Sequence, residues 1–385
     1  MTNINQQENI SHGEEPEIYD DGTGIEPETT ESDGQITKPF DPTLIRVETK
    51  PLSMDLLISR IREKEINLMP DFQRQAGIWS DAAQSRLIES LLIRIPLPAF
   101  YMDASDENEW LVVDGLQRLT AINRFVLKKE LKLSGLEFLH HLNGLGFDQL
   151  PRNFKRRITE TQVTVYLIEK DTPPEVKFNI FKRINTGGLP LSSQEIRHAL
   201  NQGEATKLLK KLAGSREFKK ATDNGIRDHR MAAQECVLRF MAFTLKPYTS
   251  YISPDFDAFL NSAMEIMNKK PVHELQKLEG SFLRALEASR DIFGSFAFRK
   301  QYKKNALRNP INKALFETWT VNLGAVNDDQ LTELKKKKDK LIDGFIDLMN
   351  GSSSFDSAIS QGTGNIAKVR LRFSEISKLI QEVLS

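Results

Sequence analysis

Val112-Val113-Asp114-Gly115-Leu116-Gln117-Arg118-Leu119-Thr120 joins the end of a short apolar run to the start of an amphipathic one. The apolar residues at 110–113 include two β-branched valines, which predicts a strand. Helical spacing takes over across 119–127, and the glycine between lets the chain turn where a Cβ would obstruct it. At such a strand–helix junction the first backbone N–H groups are unpaired and favour an anion. Arg118 falls in the first helical turn, where its guanidinium can hold phosphate oxygens in pairs. Asp114 can orient a Mg²⁺ ion or an attacking water. The same residues also suit a plain capped turn, with Asp114 as the cap and Arg118 in a surface ion pair. Spacing alone leaves both open.

Outward from this junction, apolar runs at 99–102 and 163–168 predict two more strands. Ser53 or Asp55 can cap a helix carrying Leu56, Leu57 and Ile61. Ser80 or Asp81 can cap another with Leu87, Ile88, Leu91 and Leu92 on its apolar side. A helix is expected over 174–184, where Pro174 suits the first turn. After Ser192 no strand signal competes. Helical periodicity recurs at 193–200, 228–245, 254–267, 272–293, 310–323, 328–349 and 365–384, and it is clearest in Leu275, Leu278, Phe282 and Leu286. The fold class expected is α+β: a domain with a small sheet over 44–191, then an all-α domain over 192–385.

The 385 residues carry 53 bases and 53 acids, but residues 1–40 hold ten of the acids and one of the bases. The remainder is therefore formally +9, a balance compatible with polyanionic partners and equally with a solvated surface. Residues 1–40 have few large apolar groups and are expected to form a disordered acidic tail. No apolar run approaches the ~20 residues of a membrane span. Cys236 is the single cysteine, which excludes an internal disulfide and fits a reducing cytoplasm. Its neighbours Val237 and Leu238 place it in a helix core. The six histidines show no metal-ligand spacing, and neither a Walker-type phosphate loop nor a histidine nuclease pattern occurs. The lysine run 335–338 reads as a solvated helix face.

Two further clusters stand out. In Pro70-Asp71-Phe72-Gln73-Arg74, with Trp79 beyond, the aromatics can anchor a loop and leave Gln73 and Arg74 to meet phosphate or a base edge. Phe181-Lys182-Arg183-Ile184-Asn185-Thr186-Gly187-Gly188 ends a helix at glycine, and such a turn also offers backbone donors to a nucleotide. Each has a bland reading as an anchored loop or a helix stop.

Together, and in this order, the three clusters resemble the N-terminal domain of GmrSD-type modification-dependent restriction endonucleases, itself similar to the ParB and sulfiredoxin superfamily. The resemblance is strong over about 50–200 and looser through Asp228, Arg230 and the stretch 312–317. It implies a ParB-like nucleotide-binding domain that takes a nucleoside triphosphate with Mg²⁺, within a cytoplasmic system restricting foreign DNA. By that resemblance Gln73, Arg74, Gly115, Arg118, Arg183, Asn185, Thr186, Gly187 and Gly188 contact nucleotide, Asp114, Gln117 and Arg118 serve catalysis, and Asp114 serves the metal. Leu116 departs from the family, which has glutamine there. Many relatives add an HNH-type nuclease domain that this sequence does not show, so DNA cleavage is expected of a separate nuclease, or methyltransferase-coupled, partner. A Mg²⁺-dependent NTPase, a non-hydrolysing nucleotide or modified-DNA sensor, and a nuclease of the ParB-like fold are the three readings to separate.

Overall fold

Alternating side chains on three short strands divide the N-terminal half into two packed faces. The computed structural model describes residues 23–28, 44–68, 79–184, 191–304 and 306–385, and structural statements below concern these. Strands β1 (Val47–Ser53), β2 (Ile66–Asn67), β3 (Phe100–Ala104), β4 (Trp110–Asp114) and β5 (Gln162–Glu169) form one sheet in the order β1-β5-β3-β4-β2. β1/β5 and β3/β4 are antiparallel, whereas β5/β3 and β4/β2 are parallel. With a period of two, Phe100, Met102, Val112, Val163, Val165 and Leu167 join one apolar core. Val113 and Ile168 join another on the opposite side. The expected strands and the α+β class are present.

Helices α1 (Met54–Arg62), α2 (Asp81–Leu92), α3 (Leu116–Ile122) and α4 (Arg152–Thr159) cover the first face. Ser53 caps α1 by accepting from Leu56 N, and Ser80 caps α2 by accepting from Ala83 N, both at 3.3 Å. α3 runs on into a π-helical turn, Asn123–Leu127. α5 (Pro174–Ile184) and α6 (Ser193–Leu200) lie on the second face, where Phe178, Phe181 and Ile196 meet Val113 and Ile168. α6, expected to open the helical domain, thus packs on the sheet.

The remaining helices are α7 (Glu204–Ala213), α8 (Arg216–Ala221), α9 (Ala232–Leu245), α10 (Phe256–Lys269), α11 (Val272–Phe293), α12 (Lys313–Ala325), α13 (Asp328–Lys336), α14 (Lys338–Gly351), α15 (Ser353–Ser360) and α16 (Ile366–Leu384). They surround one large core that includes Phe240, Phe282, Phe316 and Trp319. The helix expected over 228–245 starts only at Ala232, because Arg230 and Met231 take φ of 57° and 60°. Asp228 caps it from outside, accepting from Ala233 N at 3.1 Å. The helix expected over 328–349 is two helices meeting at Lys337. Cys236 is fully buried in α9, and burial pushes its thiol up to about 12, as suits a packing residue. Among the described residues no helix is long and apolar enough to cross a membrane.

One part of the acidic tail departs from expectation. Within 23–28, Ile25 is buried and bridges to Ile311, and Glu26 N donates to Ile311 O at 2.8 Å. A single isoleucine gives little burial, but the flanking glutamates find specific cationic partners, described below.

On α2 the buried Glu89 carboxylate accepts from the backbone N–H of Glu137, Phe138 and Leu139 at 2.9, 2.8 and 2.7 Å. Burial alone raises such a carboxyl, but the three N–H groups outweigh it and hold Glu89 below the usual range. Its stabilisation is therefore complete above the unfolded value near ~4.3 and fades as pH falls toward the lower folded value. Glu89→Gln is expected to cost about 1.5–3 kcal/mol at pH 7. Urea melts across pH 7 to 3 should show the gap from wild type narrowing with acid; a constant gap contradicts this account.

Candidate functional site

Four of the sequence-selected residues, Asp114, Gly115, Gln117 and Arg118, lie where β4 ends and α3 begins. β3 turns into β4 with Tyr101 opposite Asp114, across a β-bulge between Tyr101 and Met102. Gly115 follows with φ +99° and caps α3, whose first bond runs from Leu119 N to Gly115 O at 2.9 Å. A Cβ on Gly115 would collide with the Phe100 ring. Glycine is needed here for both reasons. Leu116 is half-buried against the first core, so it fills packing space.

Arg118 points inward. Its guanidinium donates to Pro98 O, to Ala99 O at 3.0 Å and to Asp114 Oδ2 at 2.9 Å, and it lies over the Phe100 ring at 4.4 Å. Only 8% of the residue is exposed. Burial lowers its pKa and Asp114 raises it, while an arginine stays charged throughout. The donors expected to meet phosphate are thus engaged with the chain's own carbonyls. Asp114 is the more open partner, with 30% of its side chain exposed and Oδ2 held by Arg118. Among the described residues no group of three or more His, Cys, Asp or Glu could hold a metal ion.

Gln117 ties in a neighbouring segment: its Oε1 accepts from Trp79 N at 3.3 Å, and Gln84 Nε2 donates to Trp79 O at 2.6 Å. Trp79 is the first described residue after 69–78, the stretch that contains Gln73 and Arg74. β2, which leads into that stretch, runs parallel to β4 with Asn67 opposite Leu111. The described residues flanking 69–78 are therefore placed by β4 on one side and by Gln117 of α3 on the other. Gln73 and Arg74 themselves fall outside the described residues, as do Asn185, Thr186, Gly187 and Gly188.

Arg183 is exposed near the C-terminal end of α5. Leu191, just beyond 185–190, packs with the cluster of Val113, Ile168, Phe178, Phe181 and Ile196. Leu191, the first described residue after that stretch, therefore lies on the face behind β4. Residues 55–201 match the family model of the GmrSD restriction endonuclease, N-terminal domain. This segment belongs to that family. The GmrSD-type segment runs from α1 to just past α6, so it contains β2–β5 and helices from both faces. Its family name points to a component of a restriction system. No curated protein matches the chain.

Sequence reasoning missed polar groups on β3 beside the junction and on α6. Tyr101 stacks on Tyr166, with centroids 4.8 Å apart, and burial, Tyr166 and Asp114 together push its phenol up. Glu195, fully buried on α6, accepts from Ser192 N at 2.6 Å and from Arg230 Nη2 at 3.1 Å. The signal for Glu195 was present: Ser192-x-x-Glu195 is a capping box directly after the glycine stretch.

Gly115→Ala forces a side chain into positive φ and into Phe100, so it should cost about 1–3 kcal/mol. Combined with Phe100→Leu, the loss should be smaller than the sum of the two single losses. Additive losses in denaturant titrations contradict the close approach.

Proposed function

We propose that this chain is the nucleotide-binding, and nucleotide-hydrolysing, component of a DNA restriction system directed at foreign DNA. One observation carries the reading. A partly exposed carboxylate, Asp114, is fixed by a buried arginine at a glycine turn, with Trp79 bonded to Gln117 and Leu191 packed in the cluster of Val113, each the first described residue after a stretch rich in phosphate-binding residue types. The GmrSD family match over the same residues supports it.

The labour divides differently from a simple arginine clamp. Arg118 holds Asp114 in one orientation by taking Oδ2, so Oδ1 is the oxygen able to meet a cation or a water. Arg74 and Arg183, on the stretches flanking the junction, are the candidates to neutralise phosphate. A lone carboxylate fits Mg²⁺, which commonly keeps its waters and substrate phosphates and takes only one or two protein ligands. When bound with a triphosphate, that ion supplies charge neutralisation at the transferred phosphoryl group. Asp114 would then orient the attacking water and accept its proton as the water oxygen bonds the terminal phosphorus and the bond to the departing nucleoside diphosphate breaks. Gln117 holds Trp79 against α3. The formally basic remainder of the chain suits DNA, and cleavage is assigned to a separate nuclease, with a methyltransferase as another partner.

Leu116 favours a second reading. At the family's glutamine position it packs into the core, so the junction has one polar group fewer, which suits a sensor that binds nucleotide without turnover.

Asp114→Asn separates the readings, because asparagine caps and accepts much as aspartate does. The variant should stay folded and keep nucleotide binding within a few-fold. Its Mg²⁺-dependent phosphate release should fall at least about 100-fold. Release at the wild-type rate removes Asp114 from the mechanism. Nucleotide binding by the wild type without any phosphate release selects the sensor. Plasmid nicking by the wild type, lost in Asp114→Asn, selects a nuclease.

A further inference from the structure

A second built site lies far from Asp114, in the helical part. Arg239 on α9 and Arg372 on α16 are buried with Glu317, and the half-buried pair of Lys313, at the start of α12, and Glu235 adjoins them. Lys313 pairs with Glu235 at 3.0 Å, Arg239 with Glu235 at 2.8 Å, and Arg239 with Glu317 at 3.5 Å. Arg372 pairs with Glu317 and donates to Thr363 O at 2.7 Å. Three cations thus face two carboxylates. An uncompensated charge in such surroundings costs several kcal/mol, so one more anion is required.

Glu28 supplies it. Its carboxylate takes both Arg239 Nη groups, with Nη1 at 2.9 Å, accepts from the Thr363 hydroxyl at 2.7 Å, and lies 3.9 Å from Lys313 Nζ. Burial raises the Glu28 carboxyl, but Arg239 and Lys313 override this and hold it down at about 2. Two residues earlier, Glu26 accepts from Lys300 Nζ at 2.6 Å and from Asn312 Nδ2 at 3.0 Å. Between them Pro27 is exposed.

The backbone of the same six residues is read as well. Ile25 forms a parallel bridge with Ile311, Ile311 N donates to Gly24 O at 3.3 Å, and Arg227 N donates to Thr23 O at 3.0 Å. Gly24 has φ +75°, and a Cβ there would collide with Gly225 O. Main-chain pairing plus side-chain sockets is how a folded surface recognises an extended peptide.

We propose that this groove is a recognition site for a short acidic peptide of the pattern Gly-Ile-Glu-x-Glu, carried by a partner protein, and that Thr23–Glu28 is its resident competitor in cis. The glycine is required by Gly225, the isoleucine by the core around Ile311, and the two glutamates by Lys300/Asn312 and Arg239/Thr363. Carboxylates at alternate positions of an extended chain fall on one side, as the two sockets demand. A tethered segment competes at an effective concentration of about millimolar, so a partner peptide gains access when the cis segment is weakened or displaced.

The test uses the full chain with Glu26→Gln/Glu28→Gln and a fluorescent peptide of residues 21–30. Anisotropy should show the peptide binding this variant at least tenfold more tightly than wild type, and a peptide with both glutamates replaced by glutamine should not bind. A folded variant that fails to take the peptide overturns the proposal, as does equal binding of the glutamine peptide. Should the variant not fold, a wild-type chain with a protease site placed within 29–43 is cut instead. Excess free peptide is expected to displace the released N-terminal fragment on gel filtration. Retention of that fragment against saturating peptide makes 23–28 a fixed part of the fold and sinks the idea.

Discussion

The guanidinium of Arg118 sets the geometry of the β4–α3 junction. Its planar fork satisfies the Pro98 and Ala99 carbonyls and one oxygen of Asp114 at once, while its face rests on Phe100. Lysine offers three donors on a compact head and cannot span these acceptors in the same plane. Phe100 in turn occupies the space that a side chain on residue 115 would need, so glycine, phenylalanine and arginine are mutually required. The start of β3, the end of β4 and the first turn of α3 are locked into one piece. A fixed Asp114 is the chemical product of that locking, and the motif is best understood as a strut carrying a carboxylate.

Several other buried arginines among the described residues are closed in the same way. Arg372 is closed by Glu317 and two carbonyls, Arg197 by Gln194 and Asp257, and Arg239 by three glutamates. Burying charge is tolerated only when each donor is matched, and these networks combine partners one helical turn away, such as Gln194 and Glu235, with partners distant in sequence. The formal surplus of positive charge outside residues 1–40 is therefore left to the surface. Even there it is partly employed: in the run 335–338, Lys335 pairs with Asp291 and Lys337 donates to Val383 O. That run fastens a helix junction as much as it decorates a face.

What the sequence reveals depends on whether the deciding partner is local. The strands near 110–113 and 163–168 and the helices at Pro174–Ile184, Ser193–Leu200 and Val272–Phe293 were legible because pattern, cap and stop agree within a few residues. α4 was not, since four of its eight residues are basic and only Ile158 is buried. β1 was not either, being an edge strand that is mostly exposed and carries Pro51. The site shows the same divide. Spacing marked Asp114, Gly115 and Arg118 as a site or a plain capped turn, and the family resemblance added Gln117 and decided between the two. The inward turn of Arg118 depends on backbone carbonyls nearly twenty residues away, which leave no mark in residue types. The docking of 23–28 was hidden for the same reason, because Arg239, Lys300 and Ile311 lie more than two hundred residues downstream.

Where the two halves meet, α6 belongs to both. Ile196 enters the core behind β4, while Arg197 on the same helix reaches Asp257 of α10 at 2.6 Å, joined there by Lys182 of α5 at 3.1 Å. The Ser192 hydroxyl donates to Arg230 O at 3.0 Å, and Glu195 holds the Arg230 guanidinium. Arg197 and Glu195 are almost wholly buried, so separating the halves would strip charged groups of partners they cannot replace with water until the interface opens fully. Such a contact acts as a weld, and hinge motion between the halves is disfavoured. α5 and α6, the helices on either side of 185–190, are both tied into the helical part, by Lys182 to Asp257 and by Arg197 and Glu195 to Asp257 and Arg230. The family segment ending at residue 201 thus includes the helix through which the nucleotide-binding region proposed above is mechanically joined to the rest of the chain.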